Sequence, residues 1–132
     1  MKKIKVAIGI IIDKKNSLVY VSRRPIHKHL GGLYEFPGGK IEKSENPEEA
    51  LKREMHEELG IDVDHYVFLI KKDFCYPKCF AKLYFFLIKS YLGVPAAKEN
   101  QEILKIKINQ LKNLEMPPVN KSIIDFLIMK YC

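Results

Sequence analysis

Between Asn46 and Gly60 the chain carries both the start and the stop signal of one helix, and no other segment limits the fold so firmly. Asn46 has a capping side chain, Pro47 suits a first helical turn whose N–H groups lack partners anyway, and Glu49 stands where a capping-box acid belongs. Gly60 follows Leu59 as a C-terminal glycine, so the spacing predicts a helix over about Pro47 to Leu59. The flanking chain is rich in β-branched and aromatic residues. Val6 to Ile12 and Leu18 to Ser22 read as a hairpin across Asp13-Lys14-Lys15-Asn16-Ser17. Val63 to Phe74 and Phe80 to Lys89 read as longer strands, and Ile103 to Ile108 as a half-exposed one. Arg23 to Lys40 reads as a loop-rich stretch, and Ser122 to Met129 as a closing helix after Pro117-Pro118. Strands with one helix inserted and one at the end predict an α/β fold, a mixed sheet sandwiched by helices. At 132 residues, one domain over 1–132 is expected.

Charge is distributed unevenly. The chain has 23 Lys and Arg against 16 Asp and Glu, a formal net charge of +7, yet Glu42, Glu45, Glu48, Glu49, Glu54, Glu57 and Glu58 crowd into the helical segment and its approach. Like charges that close repel, so the cluster requires a partner. The excess of lysine favours anionic ligands, although scattered lysines equally suit a solvated surface. With 47% hydrophobic and 30% charged residues, the composition is that of a globular domain and not of a disordered chain. Cys75, Cys79 and Cys132 are an odd number without zinc spacing, which argues against a disulfide framework and points to reduced thiols in the cytoplasm. Met1-Lys2-Lys3-Ile4-Lys5 before apolar Val6 to Ile12 imitates a signal peptide. The run is short and lacks a small-residue cleavage site, so a buried first strand is the better reading. No segment approaches the roughly 18 apolar residues of a membrane span.

On the predicted helix Glu54, Glu57 and Glu58 stand at i, i+3 and i+4, which places their carboxylates on one face. Such an oxygen cluster suits a hard divalent cation, and magnesium in particular combines a few carboxylates with water and substrate phosphates. The plainer alternative is a solvated acidic face partnered by Lys52 and Arg53. The wider spacing decides between them: Gly39, five residues, Glu45, seven residues, then Arg53-Glu54-Met55-His56-Glu57-Glu58-Leu59-Gly60-Ile61. This resembles the Nudix box, here residues 39–61, at every defined position. At average residue usage, seven fixed residues coincide by chance about once in 10^8 windows.

Membership of the Nudix family implies an α/β/α sandwich, a catalytic loop, helix and loop, and hydrolysis of a nucleoside diphosphate linked to a further group. It also implies magnesium, with manganese as a substitute, held by Glu54, Glu57, Glu58 and the carbonyl of Gly38. Arg53 and Glu45 are expected to brace the loop against the helix, since a partly buried charge needs a partner. Gly39 lets the loop backbone approach a metal or phosphate, with Lys40 beside it at the substrate.

Outside the box the chain is similar to the MutT branch. The likeness lies in Val6-Ala7-Ile8-Gly9-Ile10-Ile11 leading to Ser22-Arg23-Arg24, in Leu33 to Glu42, and in Pro117-Pro118-Val119-Asn120. That branch hydrolyses 8-oxo-dGTP to 8-oxo-dGMP and pyrophosphate by attack at the β phosphorus. The resemblance implies a small-molecule nucleoside triphosphate as substrate, no direct nucleic-acid or membrane partner, and a monomer. By position it places Arg23, Phe36 and Asn120 around the base; taken alone, Phe36 suits core packing and Asn120 suits a helix cap. Lys98-Glu99-Asn100-Gln101 resembles the segment that supplies a further carboxylate, making Glu99 a candidate metal ligand or the base that activates water. The choice between Glu54 and Glu99 as base stays open. One departure stands out: Cys79, with Lys78 beside it, occupies the place of an arginine near the base, and lysine does not reproduce guanidinium geometry. A CTP or 5-methyl-dCTP pyrophosphohydrolase is therefore an alternative, and a non-catalytic nucleotide-binding regulator another.

Overall fold

The computed structural model describes residues 2–26 and 31–132, so positions 27–30 of the loop-rich stretch lie outside the described residues. The strands are β1 (Lys2–Asp13), β2 (Leu18–Arg23), β3 (Tyr34–Glu35), β4 (Gly38–Lys40), β5 (Asp62–Tyr76), β6 (Cys79–Leu92) and β7 (Glu102–Lys107). The helices are α1 (Pro47–Leu59) and α2 (Lys121–Tyr131), with short 3-10 segments at Ile108–Asn113 and Pro118–Asn120. Each predicted strand and helix is present; β1, β2, β5 and β6 run further than their apolar cores suggested because ladder hydrogen bonds recruit flanking polar residues, whereas β7 stops at Lys107 and Ile108 opens a 3-10 turn.

β1 is the hub of the mixed sheet. It runs parallel to β6 from Lys2↔Cys79 to Ile11↔Ile88 and antiparallel to β4 through Ala7↔Gly39 and to β2 through Ile12↔Val19. β5 pairs antiparallel with β6, and β2 carries β3 and β7. The two short strands β3 and β4 form inside a stretch read from sequence as loop. Two and three residues are too few to show a period, and only a partner strand makes them extended.

Each face of the sheet is covered by one helix, the sandwich that the sequence predicts. Ala7, Ile11, Phe86 and Ile88 pack with Ala50, Leu51, Met55 and Leu59 of α1, whereas Ile10, Phe85 and Leu87 pack with Ile123, Ile124 and Leu127 of α2. α1 is closed at both ends by its own sequence. The Asn46 side chain accepts from the Glu49 amide at 2.8 Å while Glu49 accepts from the Asn46 amide at 2.9 Å. Gly60 ends the helix at φ +70°, a left-handed conformation that other residues resist.

Candidate active site

α1 presents its acids one turn apart and turns Glu54 and Glu58 toward the sheet end marked by β4. The third acid comes from far along the chain, on the loop between β6 and β7. That loop hangs from the last turn of α1, where helix carbonyls lack intrahelical partners. The Ala96 amide donates to the Leu59 carbonyl at 3.1 Å and the Lys98 amide to the Glu58 carbonyl at 3.0 Å. Gln101 adds a side-chain donation to the Glu58 carbonyl at 3.1 Å and accepts the Glu99 amide at 2.8 Å. Glu99 is thereby delivered to the helix, and carboxylate oxygens of Glu54, Glu58 and Glu99 lie within 4.8 Å of one another.

This cluster is electrostatically unfavourable by itself. Burial pushes the Glu58 carboxyl from 4.5 up to about 8, reinforced by the charges of Glu54, Glu35 and Glu99 and opposed by the Gly38 backbone amide. Glu54 is raised too, first by burial, with Arg53 pulling the other way. Among the described residues, Glu58 Oε2 is the one buried side-chain polar atom without a hydrogen-bond partner. An orphaned carboxylate oxygen among other acids matches what a hard divalent cation requires, so the residues fit such an ion. Gly39 completes the fit. A Cβ there would stand 2.2 Å from Glu54 Cδ, so only glycine lets the loop and this carboxylate meet.

Arg53 ties loop to helix. Its guanidinium forks onto Glu45 at 2.6 and 2.9 Å, reaches the Lys40 carbonyl at 2.9 Å, and contacts Glu54 at 2.8 Å. The fork is the main reason that the Glu45 carboxyl sits down at about 2, with the Glu42 amide adding to it, and the Arg53 pKa is raised in return. Glu57 stands apart from the cluster of three: its carboxylate is half exposed and accepts from Arg53 at 3.1 Å. The helical spacing that puts it on the same face does not bring it to the same point.

Beside the acids opens a cleft of about 570 Å³. Ile4, Val6 and Ile8 of β1 and Ala81 and Leu83 of β6 form its floor; Gly38, Gly39 and Lys40 line the side toward the carboxylates. Phe36, the Tyr76 to Cys79 turn and the Val119-Asn120 segment form the walls. Phe36 is 4% exposed within the core and also lines the cleft. Asn120 occupies the N-cap position of α2 without making a capping bond. It is only 5% exposed and is one of the residues that line the cleft. Arg23 lies off the cleft, donating to the Gly32 carbonyl at 3.1 Å and lying over the Tyr34 ring. Arg24 lines the cleft in its place and pairs with Glu35 at 3.3 Å. Two adjacent arginines at a strand end cannot be told apart by spacing. Gln101 had a faint signal, because a helix C-terminus calls for donors; Glu35 and Tyr76 had none.

The profile of the NUDIX domain family matches residues 7–126, and the chain belongs to this family of hydrolases. Among curated relatives, the 8-oxo-dGTP diphosphatase of Escherichia coli K12 is 36% identical over 124 residues, covering 94% of this chain and 95% of that protein. The 8-oxo-dGTP diphosphatase of Proteus vulgaris is 44% identical over 90 residues, 68% of this chain and 80% of its own. A solved MutT structure, from work on the Aliivibrio salmonicida and Vibrio cholerae proteins, superposes with a TM-score of 0.85 at 33% identity. The match covers 98% of this chain and all of that one.

Proposed function

We propose that this protein is a magnesium-dependent pyrophosphohydrolase of MutT type that converts 8-oxo-dGTP to 8-oxo-dGMP and pyrophosphate, with manganese as a substitute ion. The observation that carries the reading is the orphaned Glu58 oxygen within the Glu54, Glu58 and Glu99 cluster, beside a cleft large enough for a nucleoside. A regulator that merely binds nucleotides has no use for such a site, because unscreened acids repel a triphosphate. The likeness to 8-oxo-dGTP diphosphatases over most of the chain supports the substrate.

A divalent ion, when bound, neutralises the diphosphate and polarises phosphorus toward attack by water. Glu54 and Glu58 would hold it from the helix and Glu99 from the loop, with the Gly38 carbonyl and Glu57 as further ligands. Arg53 and Glu45 keep the loop in register with the helix, so that phosphates and carboxylates face one another across Gly39. Glu99 is exposed and not engaged by Arg53, which suits it to take the proton of the attacking water. Lys40 at the cleft mouth offers its charge to the phosphates. Phe36 packs on the base while Asn120, which donates and accepts, reads its edge. Free thiols at Cys75, Cys79 and Cys132 support a reducing, cytoplasmic setting.

Cys79, half-buried in the cleft wall where the resemblance places an arginine, favours a second reading with a cytosine nucleotide as substrate. Pyrophosphate release from 8-oxo-dGTP, dGTP, CTP and 5-methyl-dCTP at saturating magnesium separates the two. The expected outcome is the highest kcat/KM for 8-oxo-dGTP. Preference for a cytosine nucleotide would retain the acidic site and overturn the account of the cleft.

A further inference from the structure

Lys72 lies on β5 in the row Val6, Leu83, Lys72, whose first two members belong to the cleft floor. Its ammonium crosses to the α2 side of the sheet and donates to the Val119 carbonyl at 3.2 Å and to the Ser122 hydroxyl. These two acceptors bracket Asn120 along the chain. Among the described residues the start of α2 has no side-chain cap: neither the 3-10 turn Pro118–Asn120 nor α2 itself carries one, and the turn is closed by backbone bonds alone, from the Asn120 amide to the Pro117 carbonyl at 3.0 Å and from the Lys121 amide to the Pro118 carbonyl. Asn120 is buried, yet among the described residues its side-chain amide makes no hydrogen bond, so its place in the cleft follows that of the backbone segment carrying it.

We propose that Lys72 is a positioning residue for base discrimination: by clamping Val119 and Ser122 to the cleft floor it sets the place of Asn120 in the cleft. The inference rests on the reading of Asn120 as the group that reads the base. A carboxamide reads a base only if both its polar atoms meet their partners, so a shift of the segment by a fraction of an ångström weakens the preferred nucleotide selectively. Lys72 is not itself among the residues that line the cleft, and its ammonium meets the cleft wall only from behind, at the Val119 carbonyl.

The test is the ratio of kcat/KM for 8-oxo-dGTP to that for dGTP, measured in Lys72→Met, Ser122→Ala, Asn120→Ala and the double variant Lys72→Met/Asn120→Ala. The expected result is a fall in the ratio of roughly five- to tenfold in Lys72→Met, a smaller fall in Ser122→Ala, and no further fall when Lys72→Met is added to Asn120→Ala. A contribution to stability alone would lower turnover of both nucleotides together and leave the ratio intact. If Asn120→Ala lowers the ratio while Lys72→Met and Ser122→Ala leave it unchanged, the positioning role is wrong and the base-reading role survives. An unchanged ratio in Asn120→Ala overturns both. Ser122→Ala deletes a single hydroxyl from an exposed site, which keeps the test decisive should Lys72→Met fold poorly.

Discussion

Glu58 shows how a single residue is held in a state that disfavours the fold at neutral pH. Its folded-state pKa, about 8, lies above the 4.5 of an ordinary glutamate, so the folded protein holds this proton more tightly than the unfolded chain does. The sign follows from linkage: the associated stability is complete below about pH 4.5 and is lost as pH rises toward 8. In chelator, Glu58→Gln should therefore raise the melting temperature at pH 8 and leave it nearly unchanged at pH 4.5, while turnover drops about a hundredfold or more. Thermal melts at both pH values with parallel turnover assays check this. A lower melting temperature for the variant at pH 8 would mean that the buried oxygen has a partner. Among the other acids, Glu45 is the opposite case, with a low pKa because Arg53 forks onto it.

At the scale of elements, the site depends on how closely α1 approaches β4. Gly39 sits at that junction, paired with Ala7 in the sheet and pressed against the Glu54 carboxylate. Gly39→Ala is expected to push Glu54 out of the cluster and raise the magnesium concentration for half-maximal activity by about 10- to 100-fold. The fold should largely survive, because Gly39 has no positive φ to lose. Magnesium titrations of activity beside thermal melts measure the two effects separately, and an unchanged magnesium requirement would remove Glu54 from the metal site. The boundaries of α1 were legible in the sequence because Asn46, Glu49 and Gly60 act within a few residues of themselves. β3 and β4 were not, because their extended form is imposed by β2 and β1.

Over the whole molecule, one sheet carries two cores and two functional surfaces. The α1 side supports the acids, and the α2 side supports the cleft wall that holds Asn120. Since the acids repel until an ion joins them, divalent metal should stabilise the entire fold. At a concentration roughly a hundred times its dissociation constant, magnesium should add about 2.7 kcal/mol. For a domain of this size that is a rise in Tm on the order of 10 °C. Melts across a magnesium series test it. No dependence on magnesium would show that the ion arrives only with the nucleotide.

Read without coordinates, the chain discloses everything that depends on neighbours in sequence. The caps of α1, the spacing of Glu45, Arg53, Glu54 and Glu58, and the alternation of apolar residues in the strands act over a handful of positions, so they are written in order along it. The geometry of the site is another matter. Glu57 leaves the cluster for Arg53, and Arg24 enters the cleft where Arg23 was expected. Gln101 joins Glu99 to α1, and Lys72 reaches α2 from β5. The first two depend on side-chain direction, and the last two on contacts between segments 43 and 47 positions apart, which only the packed sheet and its two helices bring together.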